Sequence, residues 1–202
     1  MMKTVKEFQH STKTAMLRKS AARKTAFTMP NITFLPFPEL AGDRLHLRRL
    51  TARDEEAILH LRDHEEVIKY IDRPKVASLA GAEDFIRFIN RGINKERWFY
   101  WGIALSNRQE VIGTICLWNF NGRYTRAELG YELHPDFQGQ GLMREAVKTV
   151  LHFGFHTLGL RQVRAYTHVE NVRSVRLLEK VGFSFLKMAE EFSVHQLKNS
   201  RR

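Results

Sequence analysis

Ten residues constrain this chain more than any others: His134-Pro135-Asp136-Phe137-Gln138-Gly139-Gln140-Gly141-Leu142-Met143. They follow a β-like run, Tyr124–Leu133, and open a helix-like run from about Gly141 to Leu158 that Gly159 closes. Pro135 ends the strand because it has no backbone donor for the ladder. Gly139 and Gly141 let the backbone approach a ligand closely and turn successive N–H groups toward it. The helix that follows adds the positive end of its dipole. A strand, a glycine turn and a helix N-terminus in that order make a site for a pyrophosphate. Two glycines alone fit an ordinary strand-to-helix turn equally well. No Gly-Lys-Ser/Thr follows, which excludes a Walker loop, and the third glycine of a dinucleotide fingerprint is absent.

The flanking segments place this turn in a larger pattern. Leu45–Leu50 alternates as a strand, and Thr51 caps a helix over Ala52–Leu61 with Asp54 and Glu55 in its first turn. Pro74 breaks the segment after it. Ser78 caps a helix over Gly81–Ile93, whose Phe85, Ile86 and Ile89 recur at helical spacing. Trp98–Leu105 and Glu110–Trp118 read as a hairpin turning at Ser106-Asn107-Arg108, and Asn121-Gly122 makes the next turn. Gln162–Val169 is a strand, Ser174–Val181 a short helix stopped by Gly182, and Phe183–Met188 a further strand. Val194-His195-Gln196-Leu197 is a weak seventh, so the last hairpin is either abbreviated or completed by a second subunit. This order predicts a single α/β domain: a mixed, mostly antiparallel sheet with helices on both faces, not a doubly wound one.

A chain of 202 residues, 43% hydrophobic, suits one such domain. Residues 1–29 carry seven of its cations against one acid, Glu7, so the rest holds only +5 of the formal net charge of +11. Residues 1–30 read as a basic, disordered extension with a faint likeness to an organellar transit peptide, or as a product of an upstream start with Met29 near the true one. The domain then runs over 31–202. Its mild positive charge attracts polyanions, a phosphate-bearing cofactor or nucleic acid, without choosing between them. The single cysteine, Cys116, in an apolar run, fits a buried thiol and a reducing, cytoplasmic setting. No run reaches the ~20 apolar residues of a membrane span. His60 with His64, and His152 with His156, stand four apart on helices, yet neither pair has an evident third ligand, so no metal is expected. Trp98, Tyr100, Trp101 and Trp118 fit core or pocket walls better than a base-stacking platform.

Several pieces stand together in a recognisable order. Gln138-x-x-Gly141-x-Met143 resembles the coenzyme A-binding motif of the GNAT acetyltransferase superfamily, with methionine at the last position as in its RimJ/RimL branch. Ala127-Glu128-Leu129-Gly130-Tyr131-Glu132-Leu133-His134-Pro135 resembles that branch's preceding strand, Asn171-x-x-Ser174 its later turn, and Lys180-Val181-Gly182-Phe183 the close of its last helix. Asp43-Arg44-Leu45 fits the start of the domain, and the likeness covers roughly residues 31–190.

The resemblance implies acetyl-CoA as cosubstrate and direct transfer of its acetyl group to a primary amine. Protein N-terminal amines come first as acceptors, ahead of small amines, amino acids or drugs. It assigns cofactor contacts to Tyr131, Leu133, Gln138, Gly139, Gln140, Gly141, Leu142, Met143 and Asn171. An aliphatic amine must lose a proton before it attacks, which calls for a base. Glu128 is the first candidate and Glu132 the second; in a regular strand both face the same way. A backbone N–H near Tyr131–Leu133 would hold the oxyanion if the strand splays at a bulge. Many members place a tyrosine seven residues after the asparagine to serve the departing thiolate. Leu178 stands there, which leaves Ser174 as the donor. Asn171 and Ser174 both suit helix capping as well. The basic extension keeps a nucleic-acid or ribosome-binding module as the alternative, and a homodimer is possible.

Overall fold

The structure is a computed structural model that describes residues 34–71, 75–189 and 191–199. The extension at 1–30 and the break at Pro74 lie outside the described residues. Eight strands form one sheet: β1 (Leu40–Ala41), β2 (Leu45–Arg48), β3 (Phe99–Leu105), β4 (Val111–Trp118), β5 (Arg126–Leu133), β6 (Gln162–His168), β7 (Ser184–Ala189) and β8 (Phe192–Lys198). Their spatial order is β1-β2-β3-β4-β5-β6-β8-β7. Only β5 and β6 run parallel; every other neighbouring pair is antiparallel. The mixed, mostly antiparallel α/β architecture is the one expected.

Helices α1 (Glu55–Asp63), α2 (Glu65–Ile68) and α3 (Leu79–Asn94) precede β3, α4 (Leu142–His152) follows β5, and α5 (Val172–Lys180) follows β6. Ser78 caps α3, its Oγ accepting from Gly81 N at 3.1 Å. A 3₁₀ turn, Ala52–Asp54, leads into α1, and the Asp54 carboxylate reaches back to Thr51 N at 2.7 Å.

The sheet separates two apolar cores. On one face α4 packs Ala146, Val147 and Val150 onto Leu117, Ala127, Leu129 and Val163. On the other, Ile58 of α1 and Ala82, Ile86 and Ile89 of α3 cover Tyr100, Cys116 and Trp118. Strand β4 is buried on both faces along its whole length, so it reads as an unbroken apolar run.

Three expectations need correction. The helix expected over Gly141–Leu158 ends at His152 and continues as a π turn, Phe153–Thr157, in which Leu158 N donates five residues back to Phe153 O at 3.1 Å. There the Phe153 ring wedges edge-on against Phe99 and Trp101, with centroids at 5.2 and 5.7 Å. The weak seventh strand is a full seven-residue β8 inserted between β6 and β7, so the last hairpin is complete within one chain. Finally, β5 splays without a bulge. Its ladder to β4 is regular from Trp118↔Glu128 to Gly113↔Leu133, while β6 accompanies it only over Arg126–Leu129. Beyond Leu129 the two parallel strands part.

Gly92 in α3 supports the indole of Trp98: a Cβ there would fall 1.7 Å from Trp98 Cζ2. Alanine gains about 1 kcal/mol of helix propensity but overpacks a filled core. Gly92→Ala should therefore lower stability by roughly 2 kcal/mol net, read from the urea midpoint at unchanged m.

Candidate functional site

The turn after β5 has the geometry its glycines suggested. His134 caps a short 3₁₀ turn, Pro135–Phe137, after which Gly139 (φ 75°) and Gly141 (φ 77°) take left-handed backbone that other residues rarely adopt. Gly141 is the N-cap of α4. Glu145 N is bonded back to Gly141 O at 3.1 Å, so the N–H groups of Leu142, Met143 and Arg144 precede the helical ladder and mark its positive end. Leu142 and Met143 bury their side chains in the core, leaving the backbone to face a ligand. Gln138 braces the turn: its Nε2 donates to Leu133 O (3.0 Å) and its Oε1 accepts from Arg173 (3.0 Å). Gln140 Nε2 donates to Asp136 O at 2.8 Å.

Glu145 in the first turn of α4 would oppose an anion at that end. It is neutralised from the residue just before β2: Arg44 N donates to its Oε1 (2.7 Å) and Arg44 Nε to its Oε2 (2.9 Å). Arg44 also donates to Gln140 O at 3.1 Å. Gly42 makes room for this clip, since a Cβ there would sit 2.7 Å from Glu145 Oε1. The Arg44 and Arg144 guanidiniums come within 3.7 and 4.0 Å of the place a Gly141 Cβ would take. With Glu145 offset by Arg44, the Arg144 guanidinium, a left-handed glycine and unladdered N–H groups fit a polyphosphate.

The parting of β5 and β6 supplies the second part of the site. His134 N donates to Ile112 O of β4 at 2.9 Å. By the alternation of an antiparallel ladder, the N–H groups of Tyr131 and Leu133 then point to the opposite edge, into the gap that β6 has left. Side chains alternate as well. Leu129 and Leu133 pack under α4, whereas Glu128 and Glu132 lie on the face of α1 and α3. Both carboxylates are buried. Glu132 Oε1 accepts from Arg62 of α1 at 3.0 Å, an ion pair whose side chains are 0% and 2% exposed. Arg62 also stacks over Phe85, 3.8 Å from its ring centroid. Glu128 Oε1 accepts from Asn119 Nδ2 at 2.7 Å.

Across the gap, Asn171 caps α5 through Oδ1 to Ser174 N (3.1 Å). The Ser174 hydroxyl lies 2.7 Å from the Tyr131 hydroxyl, bridging α5 and β5. Burial pushes the Tyr131 phenol up to about 12, and its bond to Ser174 pulls the other way. Leu178 is core, fully enclosed.

Sequence reasoning named Glu128, Glu132, Asn171, Ser174 and the turn residues, and these gather around β5. It missed the partners: Arg62 on Glu132, Asn119 on Glu128, and the clip on Glu145. One signal was present, an asparagine straight after a β-run, because Asn119 takes the left-handed φ of 48° that asparagine tolerates. Cys116 is buried and its thiol is pushed up by desolvation, which makes it a poor nucleophile. The His152 and His156 rings lie 4.3 Å apart. Among the described residues no group of three or more His, Cys, Asp or Glu is placed to hold a metal ion, and no helix is long and apolar enough to cross a membrane.

Residues 44–184 match the family described as Acetyltransferase (GNAT) domain. The chain is 35% identical over 147 residues to "Uncharacterized N-acetyltransferase YoaA" of Bacillus subtilis, covering 73% of this chain and 83% of that one. It is 28% identical over 144 residues to the spermidine N(1)-acetyltransferase of Vibrio cholerae, covering 70% and 80%. Its fold is similar to that of Mycobacterium smegmatis RimJ in complex with CoA-disulfide, at TM-score 0.71 and 18% identity over 80% of this chain and 87% of that one.

Gly141→Asp tests the turn. The new carboxylate would take the two arginines for itself and repel a pyrophosphate. Calorimetry should show coenzyme A affinity lost by at least about a hundredfold, a cost near 3 kcal/mol, with the fold intact.

Proposed function

The chain belongs to the GNAT acetyltransferase family and is an N-acetyltransferase, and on that premise we propose that Glu128 readies a primary amine for direct acetylation across the gap between β5 and β6. The family uses acetyl-CoA, which supplies an activated acetyl thioester. The N–H groups of Leu142, Met143 and Arg144, with the Arg144 guanidinium, hold its pyrophosphate. The edge of β5 at Tyr131 and Leu133, with Asn171, holds the arm between phosphate and thioester.

Three roles follow for the chain's own groups. Glu128 takes the proton that an aliphatic amine carries at neutral pH, directly or through one water. Glu132 is already engaged in an ion pair with Arg62. A β5 N–H in the gap donates to the oxygen that gains charge during transfer. Ser174 donates toward the sulfur that leaves.

The observation that carries this reading is the divergence after Leu129, with the glycine turn at its mouth and the two glutamates on the far face of the same strand. For the acceptor, the RimJ/RimL likeness of 127–135 and 171–174 supports a protein N-terminal amine. A second reading, a small polycationic amine, rests on a groove of about 630 Å³ beside α1 and α2 that Asp63, Glu65 and Glu66 line. It agrees with the spermidine-acetylating relative.

Steady-state assays with N-terminal peptides and with spermidine separate the two acceptor readings by which is turned over. Failure of wild type to bind acetyl-CoA would defeat the mechanism for both. On whichever acceptor works, Glu128→Gln should lower kcat by about a hundredfold and leave coenzyme A affinity nearly unchanged. Equal activity would reject Glu128 as the base.

A further inference from the structure

In the related enzymes the first expectation for the departing thiolate is a tyrosine in the last helix, and that position is Leu178, enclosed in the core. A phenol nevertheless reaches the same region from the other side of the gap. Tyr131 extends from the part of β5 that β6 has left, and its hydroxyl meets Ser174 Oγ at 2.7 Å. Among the described residues neither hydroxyl has another hydrogen-bond partner.

Two hydroxyls in one contact must divide the roles of donor and acceptor. A phenol is the stronger acid of the two, and its oxygen lone pairs are partly drawn into the ring, so it donates better and accepts worse than an alcohol. The Tyr131 hydroxyl therefore gives its hydrogen to Ser174, and Ser174 keeps its own hydrogen for a third group. A serine in the first turn of a helix would otherwise spend that hydrogen on a carbonyl of the preceding turn. The Asn171 cap fixes the same residue through its backbone N–H and leaves the hydroxyl to Tyr131.

Resting on the functional reading above, we infer that Tyr131 is a positioning residue for the departing thiolate: it holds and polarises Ser174 so that the Ser174 hydrogen is donated into the gap toward sulfur. No proton needs to leave Tyr131. When the C–S bond breaks, its electron pair goes to sulfur, the Ser174 O–H donates a hydrogen bond to that thiolate, and the Tyr131 O–H donates to Ser174. Burial keeps the phenol protonated throughout the working range, so it stays a donor. The strand thus supplies through serine what a helix tyrosine would supply directly.

The test reads the thiol rather than turnover and needs no acceptor. Coenzyme A is bound to wild type, Tyr131→Phe, Ser174→Ala and the double variant, and its thiol is titrated by the ultraviolet absorbance of the thiolate. Wild type should lower the bound thiol's pKa relative to free coenzyme A. Each single variant should raise it by about one unit, a tenfold loss of thiolate at a fixed pH near 8, and the double variant should lose no more than either single. Near-ultraviolet circular dichroism at pH 6 should superimpose for all four and reports that each is folded. A Tyr131→Phe curve equal to wild type would overturn the inference. So would a loss in Tyr131→Phe with none in Ser174→Ala, which would make the phenol the direct donor, and so would additive losses. Absence of coenzyme A binding by wild type is a different failure: it removes the functional reading, and this inference with it.

Discussion

Strand β5 has to satisfy two neighbours that do not run the same course. On one edge β4 pairs with it along its length; on the other, β6 pairs for four residues and then departs. A strand left without a partner inside a domain would be a liability, because its N–H and C=O groups still need partners. The turn residues take up part of that demand, as Gln138 does on Leu133 O. What remains is a short stretch of strand edge, beside which the start of α5 comes close through the Tyr131–Ser174 contact. The glycine turn and the Tyr131–Ser174 bridge both lie at this divergence.

Charge is handled on both sides of that strand by pairing it early. Glu145 sits where a negative group would oppose an anion, and Arg44, just ahead of the second strand, cancels it. Glu132 is taken out of water entirely and paired with Arg62, so the ion pair links α1 to β5 across the second core. Such a pair adds little net stability, yet losing one partner typically costs about 3–5 kcal/mol because the other stays buried. On the same face of β5, Glu128 accepts from the Asn119 amide.

Much of this was legible beforehand because local chemistry agrees with the fold. The turn at 134–143 carries its own grammar of proline, glycines and helix start, and Gly159 and Gly182 stand at the helix ends with positive φ, as expected. Long-range partners were not legible. Arg62 and Glu132 are 70 residues apart and Arg44 and Glu145 are 101 apart, and nothing local marks either pair. The bulge was expected for a physical reason, since a strand usually leaves its ladder that way, but here the other strand turns aside. The π turn after His152 is likewise a tertiary effect: the helical pattern continues, and only the aromatic stack on Phe153 interrupts it. Strand β8 looked weak because His195 and Gln196 interrupt its apolar pattern; Ser193 and His195 are buried all the same, and the Ser193 hydroxyl lies within hydrogen-bond reach of both Thr167 O and the His195 ring.

The place of β8 in the sheet also dictates an order of events during synthesis. It follows β7 in sequence but lies between β6 and β7, so β7 has no strand to join until residues 192–198 have been made. Until then β6 presents an open edge on the side away from β5, a template for pairing with other chains. A chain truncated before Phe192 would therefore lose the pairing of β7 along with β8 and leave β6 open on that side.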